Sequence, residues 1–229
     1  MDDLDIAVAA ARAGGEIVRD GFAQSVTPEY KRQFDPVTAT DHSSEAAVLS
    51  AINQHRPDDA ILAEESGGTI PDGRLWIVDP LDGTVNFVHG IPQISVSVAL
   101  WEGDRPLVGV IYDPLRDECF SASAGGGAYL NQHPINVSRV ESLEHSVAAT
   151  GFPYDHGDYA DQYAQVVGAV LASVNGIRRF GSAALDLAWV AAGRYEAYWE
   201  LGLAPWDQAA GILIVREAGG RVTDLLGTN

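Results

Sequence analysis

The sequence predicts a mixed α/β fold of the α+β kind, and three patterns support this prediction. Apolar residues recur at helical spacing in residues 2–22 and again in residues 41–55. Residues 94–122 form short apolar runs, partly alternating with polar residues and interrupted by turn signals, which is typical of an antiparallel meander. From about residue 141 onward, helix-like and strand-like segments alternate, which is typical of a parallel or mixed sheet covered by helices.

The remaining elements follow from the same patterns. Residues 24–35 are polar and predict a strand or a loop edge, and either Thr40 or Asp41 is expected to cap the second helix. Gly125-Gly126-Gly127 lies between strand-like segments and predicts a hairpin turn, not a phosphate loop. In the first half we predict strands at residues 60–63, 75–79, 94–101, 106–112 and 118–122. In the second half we predict strands at 146–150, 177–180, 194–200 and 221–224, and helices at 159–173, 182–192 and 205–218.

Length and composition bound the size of the core. A chain of 229 residues with 46% hydrophobic content can bury a substantial core, so we predict one domain or two closely packed halves, residues 1–140 and 141–229. No apolar run approaches the roughly 18 residues of a membrane span. The start, Met1-Asp2-Asp3, has no basic segment and predicts no signal peptide. The single cysteine, Cys119, allows no internal disulfide, and a cytoplasmic location is expected.

The chain is strongly acidic, with a formal net charge of −18 and a pI near 4.4. Nonspecific binding to nucleic acid usually requires a basic surface. We therefore predict no direct nucleic-acid partner and no membrane partner.

The segment from Leu75 to Thr84 carries the clearest chemical signal. A buried strand is expected to end at Asp79, and a second carboxylate, Asp82, follows across Pro80 before a Gly-Thr pair. Carboxylate and carbonyl oxygens on a sharp turn suit Mg²⁺. The sequence Pro-x-Asp-Gly is also an ordinary turn signal, so the segment alone leaves both interpretations open.

Two further carboxylates favour the metal interpretation. Glu64 follows a predicted strand and Asp207 begins a predicted helix, which are the places where ligand sites gather in open α/β sheets. Two carboxylates about 4 Å apart repel each other by roughly 4 kcal/mol at an effective dielectric constant near 20. Four converging carboxylates therefore require protons or cations, and divalent metal ions satisfy that need at neutral pH.

At this point the chain resembles the inositol monophosphatase family of Mg²⁺-dependent, lithium-sensitive phosphatases. The matching motifs occur in the family's order: Asp35-Pro-Val-Thr-Ala-Thr-Asp41, Glu64-Glu-Ser66, Asp79-Pro-Leu-Asp-Gly-Thr84, Gly181-Ser-Ala-Ala184 and Trp206-Asp207. The resemblance implies a layered α/β/α/β/α architecture and a homodimer. Family members usually continue beyond residues 218–224 with one more strand and helix, whereas this sequence ends at Asn229 without them.

The resemblance also implies a metal centre with two or three Mg²⁺ ions. One ion would be held by Glu64, Asp79 and the Leu81 carbonyl, and a second by Asp79, Asp82 and Asp207, with a third, weaker ion near Glu64. Phosphate-ester hydrolysis would then proceed by attack of a metal-activated water. Glu64 and Thr84 would orient and deprotonate that water, and Asp41 would hold the Thr84 hydroxyl, unless Asp41 serves only as a helix cap.

Substrate contacts are expected around the metal centre and in the second half of the chain. The residues that we predict to bind substrate are Asp82, Gly83, Thr84, Gly181, Ser182, Ala183, Glu200 and Asp207. Of these, Glu200 matches the family position that binds inositol hydroxyls, and Gly181-Ser182-Ala183 also has the plainer interpretation of a helix cap. Lys31 either offsets negative charge near the metal or is a solvated surface charge.

The function that this resemblance implies is hydrolysis of inositol-1-phosphate or a similar polyol or sugar phosphate. Relatives with the same metal core hydrolyse histidinol phosphate, fructose 1,6-bisphosphate or 3′-phosphoadenosine 5′-phosphate, so these substrates stay open. Some bacterial members act instead as binding proteins in transcription and ribosome assembly, which is the non-catalytic alternative.

Overall fold

The computed structural model describes residues 1–22, 24, 27–153, 156–224 and 226–228. The helices are α1 (Asp3–Gly21), α2 (Ala39–Asn53), α3 (Thr84–Val88), α4 (Ala160–Leu171), α5 (Ala183–Ala191) and α6 (Pro205–Glu217). Two short 3₁₀ helices cover Leu143–His145 and His156–Tyr159. The first strands are β1 (Glu29–Arg32), β2 (Asp35–Val37), β3 (Ala60–Ala63), β4 (Arg74–Asp82), β5 (Ser95–Glu102) and β6 (Arg105–Asp113). They are followed by β7 (Glu118–Ser123), β8 (Gly127–Leu130), β9 (His133–Ile135), β10 (Val147–Thr150), β11 (Gly176–Arg178) and β12 (Ala197–Trp199).

A seven-stranded sheet with the order β3-β4-β5-β6-β7-β8-β9 separates two hydrophobic cores. Only β3 and β4 are parallel, and all other neighbours are antiparallel. Successive side chains of a strand point to opposite faces, so Trp76 and Val78 pack with α1 and α2, whereas Ile77 packs with α5 and α6. The sheet is therefore covered by helices on both sides, which explains why its strands are almost continuously apolar.

A three-stranded parallel sheet with the order β11-β10-β12 forms the second layer of strands. Helix α5 contacts β12 of this sheet, and α4 contacts β11. The layers are thus α1 and α2, the large sheet, α5 and α6, the small sheet, and α4, which confirms the predicted five-layer α/β architecture. Because α5 and α6 come from the second half of the chain but pack on the sheet of the first, the division at residues 140/141 stays a prediction.

Most predicted helices and strands, and the hairpin turn at residues 125–127, lie within a few residues of their expected positions. The predicted strand at 221–224 was wrong. Those residues form no ladder, and Asp224 Oδ1 instead accepts the backbone N–H groups of Leu226 and Thr228, at 2.8 Å each, in a local turn. The polar segment 24–35 contains β1 and the start of β2, while its residues 25 and 26 lie outside the described part of the chain.

The cap of α2 also differs from the prediction. Thr38, not Thr40 or Asp41, is the capping residue, because its side chain accepts the Thr40 N–H at 3.1 Å while Asp41 bonds back to the Thr38 N–H at 2.8 Å. This reciprocal arrangement is a capping box, with Asp41 in its third helical position. The helix therefore begins two residues before the start that the sequence predicts.

Strand β4 continues past its predicted end at Asp79. Asp79 pairs with Ser97 and Asp82 pairs with Ser95, so three steps along β4 face two steps along β5. Pro80, which has no N–H to donate, lies in this irregularity. The bulge places two acidic residues at one buried point of the sheet.

Among the described residues, no helix is long and apolar enough to cross a membrane.

Candidate active site

The end of β4 builds the centre of the site. The Leu81 N–H donates to Asp79 Oδ1 at 3.0 Å, which closes the turn over Pro80. Gly83 follows with a φ of +93°, and a Cβ atom at this position would lie 2.8 Å from the Gln93 carbonyl oxygen. Only glycine adopts this conformation without strain in so little space. Thr84 then begins α3, directly beside the two aspartates.

The predicted metal-binding residues come together around one cavity of about 170 Å³. Strand β3 ends just before Glu64, β4 carries Asp79 and Asp82, and the first turn of α6 carries Asp207. The wall of this cavity contains all five predicted ligands, Glu64, Asp79, Leu81, Asp82 and Asp207. Gly83 and Thr84 line it as well. The sequence did not single out Arg32 as a site residue, yet it also lines this cavity.

Burial raises the pKa of every predicted carboxylate ligand. Desolvation lifts the pKa of Asp79 well above its usual value, and the charges of Glu64, Asp82 and Asp207 raise it further. Burial likewise raises the pKa of Glu64 to about 7 and that of Asp207 to about 8. Because the charged forms are disfavoured both by burial and by their neighbours, the cluster favours uptake of protons or cations.

Oxygen donors of this kind fit Mg²⁺ in their chemistry. Among the described residues, however, no group of three or more His, Cys, Asp or Glu side chains is arranged to hold a metal ion as the side chains stand. Each carboxylate has a protein partner instead: Asp82 accepts the Ala184 N–H at 2.9 Å, and Asp207 accepts the Ala204 N–H at 2.7 Å. The residues thus line the right cavity, but closing a ligand shell requires these side chains to reorient.

Lys31 provides the cation that this structure places against the cluster. From β1, its Nζ atom lies 2.8 Å from Glu64 Oε1 and 2.7 Å from Glu65 Oε1. The two carboxylates raise the pKa of Lys31, although burial works in the opposite direction. Lys31 is thus paired with two carboxylates in this structure, and a role for it near a metal ion stays a prediction. Glu65 does not line this cavity, and its N–H donates to Glu45 Oε2 at 2.9 Å.

Asp41 connects α2 to the centre of the site. Its Oδ1 atom lies 3.0 Å from the Thr84 hydroxyl, and its Oδ2 atom accepts both the N–H and the hydroxyl of Thr38. Asp41 is fully buried. Asp41 thus takes part in the capping box of α2 without being its cap, and it also holds the Thr84 hydroxyl, whereas a catalytic role for Asp41 stays a prediction.

A second cavity, of about 140 Å³, adjoins the first. The two share Asp82, Gly83, Gly202 and Asp207, and the second cavity extends to the predicted substrate residues Gly181, Ala183 and Glu200. Glu200 follows the last residue of β12. Arg179 and Phe152 also line this cavity, with the Arg179 guanidinium 5.7 Å from the centre of the Phe152 ring.

The residues at the start of α5 donate hydrogen bonds to the Asp82 carboxylate. The Ser182 hydroxyl donates to Asp82 Oδ2 at 2.5 Å, and the Ala183 N–H donates to Asp82 Oδ1 at 3.2 Å. Ser182 also caps α5, since its side chain accepts the Leu185 N–H. In this structure the donors predicted for substrate hydroxyls therefore serve Asp82 and the helix, and their contact with substrate stays a prediction.

Comparison with known proteins identifies relatives over nearly the whole chain. The profile of the inositol monophosphatase family matches residues 2–229. The Nus factor SuhB of Escherichia coli K12 is 44% identical over 229 residues, covering 98% of this chain and 85% of the relative. An inositol-1-monophosphatase of Synechocystis is 46% identical over 224 residues, covering 96% of this chain and 78% of the relative.

Solved structures agree with these relationships. The extragenic suppressor protein suhB of Bartonella henselae superimposes with a TM-score of 0.93 at 46% identity, covering 98% of this chain and 88% of that structure. The inositol monophosphatase of Anabaena gives a TM-score of 0.87 at 44% identity, with coverage of 98% and 84%.

One expectation from composition was wrong. The net charge of −18 predicted no direct nucleic-acid partner, and the name Nus factor, carried by relatives such as the Escherichia coli protein, contradicts that prediction. The physical reason is that net charge sums over the whole surface and does not describe the potential of any one patch.

Proposed function

Because the chain belongs to the inositol monophosphatase family, we propose that it is a Mg²⁺-dependent phosphomonoesterase that hydrolyses inositol-1-phosphate or a similar polyol phosphate. One observation carries the proposal. A cavity walled by Glu64, Asp79, Asp82 and Asp207 opens into a second cavity that holds Glu200, so a charged reaction site adjoins space for an alcohol.

The acidic cavity supports the metal part of the proposal. Glu64, Asp79 and the Leu81 carbonyl would hold one ion, Asp79, Asp82 and Asp207 a second, and a third would bind more weakly near Glu64. When bound, Mg²⁺ neutralises phosphoryl charge and lowers the pKa of water. The pKa values of these carboxyl groups, raised by burial and by their neighbours, support this assignment, because a cation would relieve the repulsion between them.

The other site residues would act directly on the reactants. Glu64 and Thr84 would orient the attacking water and accept its proton, with the Thr84 hydroxyl held by Asp41 at 3.0 Å. Glu200 would accept a hydrogen bond from a hydroxyl of the alcohol, which would orient the ester before the P–O bond breaks. Lithium sensitivity and a homodimer stay predictions of the family relationship, and a cytoplasmic location stays a prediction from composition.

The test is phosphate release from inositol-1-phosphate, with and without Mg²⁺, by the wild type and by Asp82→Asn. We expect Mg²⁺-dependent turnover that falls at least about 100-fold in the variant. Asp186→Asn is the matched control, because Asp186 is a buried aspartate that lines neither cavity. Equal turnover with and without Mg²⁺, or an Asp82→Asn variant as active as the control, would contradict the proposal.

A second candidate function is a non-catalytic binding role. The observation that favours it is the name Nus factor SuhB, carried by several relatives at 41–44% identity. The two functions separate in a complementation test. If Asp82→Asn abolishes phosphatase activity but still rescues a strain that lacks this gene, the binding role is the one needed in the cell; if rescue also fails while the folded protein accumulates normally, catalysis is needed.

A further inference from the structure

The carboxylate of Glu200 lies against Gly151, which follows β10, and accepts a hydrogen bond from Tyr198 of β12. Strands β10 and β12 run parallel, with Ala149 opposite Tyr198 and Thr150 opposite Trp199. The residues that follow each strand, Gly151 and Glu200, therefore emerge side by side. The Thr150 hydroxyl strengthens this junction, since it donates to the Trp199 carbonyl oxygen at 2.8 Å.

The first contact is with the backbone of Gly151. A Cβ atom built on Gly151 would collide with all three terminal atoms of the Glu200 carboxylate. The φ of Gly151 is not in the left-handed region, so backbone conformation does not explain the glycine. The Glu200 carboxylate instead occupies the space that a Cβ atom of residue 151 would take.

The second contact is with the hydroxyl of Tyr198, which donates to Glu200 Oε2 in a short hydrogen bond. Tyr198 and Glu200 are two residues apart, and the ring of Tyr198 packs against the core formed by α5 and α6. A hydroxyl on a rigid, packed ring holds its acceptor in one orientation. Glu200 itself lines the second cavity, together with Gly181 and Ala183.

We propose that Tyr198 is a positioning residue that fixes the Glu200 carboxylate for recognition of a hydroxyl on the substrate alcohol, with Gly151 providing the space. This inference rests on the proposed phosphomonoesterase function and deepens it. It predicts that Tyr198 determines the preference of the enzyme for hydroxyl-rich esters over esters whose alcohol has no hydroxyl. Oε2 is engaged by Tyr198, so the bond to substrate is assigned to Oε1.

The experiment compares two substrates, inositol-1-phosphate and phenyl phosphate, with Tyr198→Phe. The phenylalanine ring preserves the packing and removes only the hydroxyl. We expect KM for inositol-1-phosphate to rise about 5- to 20-fold with kcat changed less than about twofold, as expected for loss of one partly buried hydrogen bond that orients a binding group. Both constants for phenyl phosphate should stay within about twofold of wild type, because its alcohol cannot use Glu200.

Tyr195→Phe is the matched control. Tyr195 also donates its hydroxyl to a buried carboxylate, that of Asp186 at 3.0 Å, but this carboxylate, unlike that of Glu200, lines neither cavity. Its substrate preference should equal that of the wild type. The double variant Tyr198→Phe/Glu200→Gln should be no worse on inositol-1-phosphate than Glu200→Gln alone, since Tyr198 acts through Glu200.

Three results would overturn the inference, and they are distinguishable. If Tyr198→Phe leaves KM for inositol-1-phosphate unchanged, Tyr198 does not position Glu200 for this substrate. If it weakens turnover of both substrates equally, its role is only structural. If the wild type hydrolyses neither ester with Mg²⁺ present, the proposed function fails and this inference fails with it.

Discussion

The Thr84 hydroxyl lies 3.0 Å from Asp41 Oδ1 and equally 3.0 Å from the Leu81 carbonyl oxygen, so its single proton can be given to either acceptor. The two acceptors belong to different elements, since Asp41 is in α2 and Leu81 is in the bulge of β4. Thr84 thereby connects a buried carboxylate to the predicted metal ligand Leu81. Its hydroxyl oxygen keeps lone pairs that can accept a hydrogen bond from water.

The first prediction concerns this hydroxyl. Thr84→Val should lower kcat at least about 100-fold, because it replaces the hydroxyl by a methyl group of similar size and removes the donor to Asp41 Oδ1. Thr84→Ser keeps the hydroxyl and should retain activity within about tenfold of wild type. The measurement is kcat with saturating Mg²⁺ and inositol-1-phosphate, with folding checked by circular dichroism. Valine and serine variants of equal activity would remove Thr84 from the mechanism.

The second prediction concerns Gly83. Gly83→Ala should destabilise the fold by about 1–3 kcal/mol, because alanine at a φ of +93° is strained and its Cβ atom would lie 2.8 Å from the Gln93 carbonyl oxygen. Urea denaturation measures the effect. Gly90→Ala is the control: its φ is also positive, at +66°, but nothing lies within 4 Å of the added Cβ atom. If Gly83→Ala lowers the free energy of unfolding more than Gly90→Ala does, the difference measures the cost of the steric contact. Equal decreases in the two variants would show that only backbone strain matters.

The sequence predicted much of the fold because its elements are locally encoded. The buried strands of the large sheet, the helices and the turn at residues 125–127 all have a clear period or turn signal. The short pair β1 and β2 was harder to predict, because β1 is exposed along its length and has no apolar period. The wrong strand at 221–224 shows the opposite case, in which an apparent local preference finds no partner strand among the described residues.

The site was predictable at its centre and less so at its edges. Asp79 and Asp82 stand in a compact motif, and both line the same cavity. Arg179 and Tyr198 lack such a motif, and their roles depend on which strand ends become neighbours in the three-stranded sheet. The sequence does place Tyr198 and Glu200 two residues apart, on the same side of an extended segment. Only the parallel pairing of β12 with β10 shows which residues lie opposite them.

The third prediction concerns Lys31 and the metal requirement. Lys31 neutralises part of the charge of Glu64 and Glu65, with both distances below 3 Å. Lys31→Met should make the cavity more negative and lower the Mg²⁺ concentration for half-maximal activity by about 3- to 10-fold. Arg105→Met, which removes an exposed ion pair with Glu102, is the control and should leave that concentration unchanged. A higher Mg²⁺ requirement in Lys31→Met would mean that Lys31 helps to assemble the site and does not compete with the ion.

The fourth prediction concerns the pH dependence of stability and uses Asp186. Burial raises the pKa of Asp186 from 3.8 to about 8, although the Tyr195 hydroxyl, which donates to it, acts in the opposite direction. Between about pH 4 and pH 8 the folded protein therefore binds one more proton at this residue than the unfolded chain does. The stabilisation of the folded state by protonated Asp186 is fully present below pH 4 and is lost as the pH rises through 8. The free energy of unfolding falls by at most about 1.4 kcal/mol per pH unit over this range.

Asp186→Asn removes this titration because asparagine stays neutral at every pH. The free energy of unfolding of the variant, relative to that of the wild type, should consequently increase from pH 5 to pH 7.5. Urea denaturation at both pH values, in the presence of a metal chelator, measures the free energy of unfolding of each protein. Subtracting the wild-type value from that of the variant cancels the contribution of the carboxylates that both proteins share. Asp104→Asn, in the exposed turn between β5 and β6, should follow the wild type. A constant difference between Asp186→Asn and the wild type across this range would show that Asp186 is already ionised in the folded protein, and its contact with Tyr195 would then be a charged hydrogen bond.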